Sequence, residues 1–274
     1  MLLTLLWACT SNPFGESDIE PVNRTIIGTV RLSSADSPSI AHIWFDGFDF
    51  TERPDASGRF RFVVPPPAAQ SASGGLNGVF RVYSYIANFN LVSRAVVLRD
   101  GEPVPGKADL NRRGELVPEI LLSEQLKIRT EVTPNAVSHT DLRFTAEVFL
   151  QTFKDTVDVL FPTTPGKKNA PLLLHNLESD SVWVVESLIT RGEVSDSVRV
   201  SPTLFTRTFL VELTPATLPA GRYEVVPYLL VLDASVPRGL IRSLGPGVEA
   251  PGRAYLRMPF VRRGGEFEVV VGNE

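Results

Sequence analysis

The chain has 274 residues, with 27 Lys and Arg against 31 Asp and Glu for a net charge of −4, and a single Cys. That balance excludes an electrostatic nucleic-acid binder, and one Cys excludes both an internal disulfide framework and a zinc site built on several thiolates. Hydrophobic residues at 43% and charged residues at 21% are ordinary for a folded body, and beyond the first ten residues no apolar run approaches the roughly 20 needed for a membrane-spanning helix.

Met1-Leu2-Leu3-Thr4-Leu5-Leu6-Trp7-Ala8-Cys9 is apolar up to the cysteine and turns polar at Thr10-Ser11-Asn12-Pro13. A secretory signal joins an apolar stretch to a small residue before the cut. Leu6-Trp7-Ala8-Cys9 resembles the lipobox of bacterial lipoproteins. The resemblance implies cleavage between Ala8 and Cys9, with diacylglycerol on the Cys9 sulfur and a fatty acid on the new amino group. Because Thr10 is not Asp, it also implies the outer membrane as destination. Several acyl chains on one residue anchor stably, since each buried methylene contributes about 0.8 kcal/mol. A start upstream of Met1 would supply the basic residues and the length that the segment lacks as a signal. The alternative is a buried N-terminal strand with Cys9 as a core thiol. Residues 1–23 thus read as signal and tether.

Beyond Pro21 apolar residues alternate, and Val, Ile, Thr and Phe dominate the apolar runs, so the fold class is all-β with no amphipathic helix. Arg24–Leu32, Ile40–Phe50, Arg59–Val64, Val79–Ile86 and Leu91–Leu98 are predicted strands, broken by Asp-, Pro- and Gly-containing turns. Gly, Pro and charged residues gather between Asp100 and Glu115, and Leu116–Leu122 either closes the first set or crosses over. A second set runs through Leu126–Val132, Leu142–Leu150, Thr156–Phe161, Val182–Ile189, Ser195–Val200, Phe205–Leu213, Arg222–Leu232, Arg253–Val261 and Phe267–Val271. The Pro162–Pro171 loop, with Lys167-Lys168, reads as exposed and mobile. Ser235–Pro251, rich in Pro and Gly, is a long connection, either functional or merely irregular. Strands at this spacing suggest two β-sandwich domains in tandem, over residues 24–122 and 123–274.

In the first set, Ile27-Gly28-Thr29-Val30, Ile40-Ala41-His42-Ile43-Trp44-Phe45, Asp55-Ala56-Ser57-Gly58-Arg59-Phe60-Arg61-Phe62 and Val79-Phe80-Arg81-Val82-Tyr83-Ser84-Tyr85 follow one another in a recognisable order. This resembles the carboxypeptidase regulatory-like domain, a small transthyretin-like β-sandwich. The resemblance covers roughly a third of the chain and implies an accessory module with no catalytic residues of its own. Read physically, Asp55 and Gly58 form a hairpin turn, and Phe60 and Phe62 share one face of the next strand. The second domain is only generically similar to immunoglobulin-like surface domains, and Trp183, alternating with valines, reads as core or half-buried strand.

Candidate chemistry is sparse. His42, His139 and His175 are scattered and fall in no nucleophile-elbow or zincin pattern. Asp46, Asp49, Glu52 and Asp55 form an acidic string whose three-residue step does not match a calcium loop, so solvated edge charges are the default. Trp44, Phe45, Phe48 and Phe50 form the densest aromatic group; Trp44 and Phe48 are the candidates for stacking on a sugar ring, against core packing as the plainer reading. Arg112-Arg113 and Arg262-Arg263 are basic pairs suited to anionic headgroups or lipopolysaccharide, but on a net acidic chain solvated turns are the default. The expectation is a non-enzymatic, lipid-anchored envelope protein with no metal or cofactor, touching the membrane through lipid on Cys9 and a protein or glycan partner through its body. The alternatives are a glycan-binding accessory protein using Trp44 and Phe48, and a hydrolase using His139 or His175.

Overall fold

Period-two alternation places one side chain in two against a core, and most of the described elements are strands that follow from it. The computed structural model describes residues 23–72, 74–163, 170–187, 189–191 and 197–271 and is all-β but for one short α-helix and three 3-10 turns. Cys9, its tether and Lys167-Lys168 lie outside the described residues. Among those residues no helix is long and apolar enough to cross a membrane.

The N-terminal part contains β1 (Thr25–Leu32), β2 (His42–Phe45), β3 (Phe50–Glu52), β4 (Arg59–Val63), β5 (Gly78–Tyr85), β6 (Val92–Arg99), β7 (Glu102–Pro103) and β8 (Ile120–Leu122). One sheet has the order β4-β1-β8, the other β3-β2-β5-β6-β7. A single core lies between them, with Ile26 and Phe62 from the first sheet meeting Phe45 and Val82 from the second. The Phe45 and Phe62 ring centroids are 5.6 Å apart across that core. Phe60 and Phe62 both point inward from β4, as their spacing predicts. β8 pairs in parallel with β1, Val30 opposite Ile120, so the 116–122 segment closes this part of the molecule.

The C-terminal part contains β9 (Leu126–Thr133), β10 (Ala136–Ser138), β11 (Leu142–Thr152), β12 (Val157–Leu160), β13 (Leu172–Asn176), β14 (Val182–Val185), β15 (Ile189–Arg191), β16 (Ser197–Val200) and β17 (Phe205–Leu213). It continues with β18 (Gly221–Pro227), β19 (Leu230–Leu232), α1 (Arg238–Ser243), β20 (Arg263–Gly264) and β21 (Glu266–Val270). The sheets β15-β17-β11-β9-β20 and β10-β21-β18-β13-β14 share a second core, across which Phe144 lies 4.8 Å from Phe267. A third sheet, β16-β12-β19, adds Val159 and Val200 to that core.

Several strand expectations are corrected. The Ile40–Phe50 run is a hairpin, not one strand: Phe45 pairs with Phe50, and Gly47 and Asp49 take positive φ (84° and 54°) in the turn between them. Glycine has no Cβ to oppose that conformation, and Asp tolerates it better than most residues. Conversely, the Asp55–Gly58 turn is no hairpin within a sheet, because β3 pairs with β2 while β4 pairs with β1, so the turn hands the chain from one sheet to the other. Arg222–Leu232 divides at Tyr228-Leu229 into strands of different sheets. Arg253–Val261 forms a 3-10 turn over Arg253–Arg257 and then an irregular buried stretch. The strand β13 escapes alternation because Leu172, Leu173 and Leu174 are all buried, a run covered on both faces.

Candidate functional site

Three residues of the N-terminal strands and the segment after them, Trp44, Tyr85 and Ala87, belong to the C-terminal core cluster. They mark a seam. Over it lies the connection that the sequence marks only by its Pro and Gly. Pro237 enters α1 with its φ already near helical, and Leu240 and Leu244, four residues apart, face the core. Gly245, at φ 101°, stops the helix in the left-handed conformation that ends many helices, its N–H donating to the Arg242 carbonyl at 3.0 Å.

α1 is seated on β2. A Cβ at Gly239 would lie 2.6 Å from the Trp44 ring, so only glycine permits this approach. Ser243 Oγ donates to the Leu240 carbonyl at 2.7 Å, which leaves the 2.8 Å contact with His42 to be donated by His42 Nε2–H. His42 is buried, and burial, with the nearby Arg53 charge second, lowers its pKa to about 4. The imidazole is therefore neutral near pH 7 and acts as a donor linking β2 to the helix.

The irregular stretch after Arg257 is held by the segment that follows β5. Ala87 N–H donates to the Pro259 carbonyl at 2.7 Å. The fully buried Asn88 carboxamide accepts from Val261 N–H at 3.0 Å and donates to the carbonyls of Val261 (3.0 Å) and Leu126 (2.8 Å). These bonds replace the ladder partners that a strand would have supplied, which is why the apolar run misleads there. Beside them Arg263 bridges Glu124 and Asp36 at 2.8 Å each, with the Glu124 side chain almost wholly buried. Favourable contact with these two carboxylates holds the Arg263 guanidinium above its usual pKa against a smaller opposing effect of burial.

Between α1, β19 and the end of β5 lies a cavity of about 580 Å³. Its floor is apolar or weakly polar: Tyr85, Ala87, Met258 and Phe260, all buried, with Val236 and Ile241 above. Its rim carries two carboxylates, Asp233 and Glu249, and two guanidiniums, Arg238 and Arg242. The Tyr85 hydroxyl, on a residue 6% exposed, reaches only the Met258 sulfur, at 3.7 Å. A thioether is a weak acceptor, so a buried phenol here is poorly satisfied. Burial first, then the charges of Asp233 and Glu249, hold that phenol well above its ordinary pKa. A concave, mostly apolar site at a junction with a few convergent polar groups has the usual make-up of a small-ligand pocket. A larger groove, about 880 Å³, runs along the outer face of β9 and β11. Its cations are engaged: Lys127 lies over Phe153, Arg129 over Phe149 and beside Glu131, and Arg263 between its two carboxylates.

The residues singled out from sequence lie elsewhere. Trp44 is 6% exposed, stacked 5.5 Å from Tyr83 and covered by Gly239, and its indole N–H donates to Asp49 at 2.8 Å. Phe48 is half-buried among Phe45, Phe50 and Phe80. The pair therefore forms no open platform: Trp44 packs into the seam, Phe48 into the N-terminal core. Within the acidic string, Asp49 holds Trp44, while Asp55 accepts from Ser57 N–H, Ser57 Oγ and Arg59 N–H and so stabilises its own turn. Among the described residues no three His, Cys, Asp or Glu side chains gather into a metal-binding group. His175 sits between Asp180 (2.8 Å) and Glu224 (3.9 Å), with Arg253 paired to Asp180. His139 stands in a turn whose backbone bonds to Val270 and Ala216. Trp183 is half-buried, 5.8 Å from Tyr223. Tyr85, Asn88, Asp233 and Glu249 carry no signature in the sequence. The one available signal is the Pro- and Gly-rich connection at 235–251. No protein-family model matches the chain, and no curated protein matches it in sequence.

Proposed function

We propose that this chain is a non-enzymatic binding module of the cell envelope, built of two β-sandwich domains and tied to the outer membrane by lipid on Cys9. The observation that carries the binding reading is the seam cavity: buried walls from both parts of the chain meet under α1 beneath a charged rim. Small-ligand sites form preferentially where packing units meet, which favours a binding role over scaffolding. The strand order of the N-terminal part, with Phe60 and Phe62 both turned into its core, supports the resemblance to a regulatory-like module. The apolar lead ending at Ala8-Cys9 supports the anchor.

Two measurements test the proposal. Radiolabelled palmitate enters the wild type and not Cys9→Ser; equal incorporation removes the anchor. For the binding reading, Val236→Trp fills part of the cavity while every floor residue keeps its own side chain. Envelope solutes of several classes (amino acids, short peptides, sugars, lipid headgroups) are screened by thermal shift against both proteins. At least one class raises the melting temperature of the wild type and leaves Val236→Trp unmoved. If no class distinguishes the two proteins, the cavity is not a binding site.

A further inference from the structure

We infer that the seam cavity takes a short apolar peptide with both termini free, its ammonium held by Tyr85, Asp233 and Glu249 and its carboxylate by Arg238 and Arg242. This rests on the binding reading above and names the ligand. Four observations carry it. The floor is apolar and large enough for side chains, so the ligand has an apolar body. The rim holds equal numbers of carboxylates and guanidiniums, and among the described residues no ion pair joins them, nor do the Arg238 and Arg242 side chains hydrogen-bond elsewhere. A ligand with one charge of each sign answers both sets, whereas a bare cation or anion leaves two like charges facing it.

The Tyr85 hydroxyl is buried, opens on the cavity and lacks a strong partner, so it is free to accept from an ammonium. That hydroxyl lines the same cavity as Asp233 and Glu249, whose charges add to burial in raising its pKa. Finally, a cavity of about 580 Å³ lies in the size range of pockets that bury ligands larger than one amino acid, so a short peptide fits within it.

The test is calorimetric titration of the full chain with the dipeptide Leu-Phe, its N-acetyl form and its C-terminal amide. The free dipeptide binds at least ten-fold more tightly than either capped form. Tyr85→Phe, which keeps the ring and its burial, weakens the free dipeptide three- to ten-fold. Asp233→Asn, which retains the oxygen that accepts from Ser235, narrows the gap between the free and acetylated peptides. Arg242→Gln narrows the gap between the free and amidated peptides. Circular dichroism confirms that each variant is folded. Equal affinity for all three peptides, or none for any, overturns the inference. If another solute class distinguishes the wild type from Val236→Trp while the dipeptides do not, the binding reading stands and the peptide assignment falls.

Discussion

Lowering the pH tests whether His42 is the neutral donor that fastens α1 to β2. The folded protein holds its pKa at about 4 against 6.5 for a free imidazole, chiefly by burial and next by the Arg53 charge. Over the pH interval between those values the unfolded chain binds a proton that the folded one resists, so stability rises with pH there. The contribution is fully present above pH 6.5 and is lost as pH falls toward 4. A difference of about 2.5 pH units at about 1.4 kcal/mol each gives about 3–4 kcal/mol, most of it gone by pH 4.5. Other groups act in different directions. Hydrogen bonds, aided by neighbouring charges, hold Asp55, Glu119, Asp158 and Asp180 below their usual values, so their support is lost only at lower pH. Burial raises Glu224, whose protonation as pH falls opposes the His42 loss. The comparison is therefore between the wild type and His42→Gln, whose amide still donates to Ser243 but does not titrate. Urea unfolding between pH 7.5 and 4.5 gives a stability difference that changes by about 2–3 kcal/mol across the range, the wild type losing more. Parallel pH profiles for the two proteins refute the assignment.

Three further outcomes follow from contacts in the seam and the second core. Asn88→Leu strands Val261 N–H and two carbonyls in a dry interior and costs about 3–5 kcal/mol, measured by urea unfolding; a loss under 1 kcal/mol means that water or a shift in the chain replaces the amide. Gly239→Ala gains about 1 kcal/mol of helix propensity but drives a methyl into the Trp44 ring, so the melting temperature falls; a rise shows that α1 is not pressed on β2. Tyr223→Phe removes the 2.7 Å bond to the Pro219 carbonyl and costs about 1 kcal/mol with an unchanged denaturant slope, again read by urea unfolding.

Much of the strand framework was legible because one neighbour decides each position. Along β9, β11 and β17 every second residue meets the same core, and alternation reports that directly. It fails where the environment has another period. Leu172, Leu173 and Leu174 are covered on both faces and show no alternation at all. Arg253–Val261 is a short apolar-rich run that passes for a strand, yet Ala87 and Asn88 take the backbone partners and no ladder forms. The hairpin at Asp46–Asp49 was half-readable: Asp46-Gly47 signals a break, but Trp44, Phe45, Phe48 and Phe50 suggest one continuous apolar run.

The site was less legible than the fold for a reason that lies in its construction. Tyr85 is the last residue of a strand, Asp233 opens the turn after another, and Glu249 belongs to irregular chain, so no motif could join Tyr85 to two positions more than a hundred residues further along. What brings them together is the docking of α1, and that docking depends on the absence of a side chain at Gly239 and on a histidine that stays uncharged. Trp44 shows the same dependence from the other side. Its amphipathic ring would stack on a sugar if exposed, and α1, with Gly239 against the ring, joins Tyr83 in covering it. A connection that reads as either functional or merely irregular therefore contributes two things at once: it helps bury the aromatic residue that looked functional, and it roofs the cavity whose lining looked ordinary.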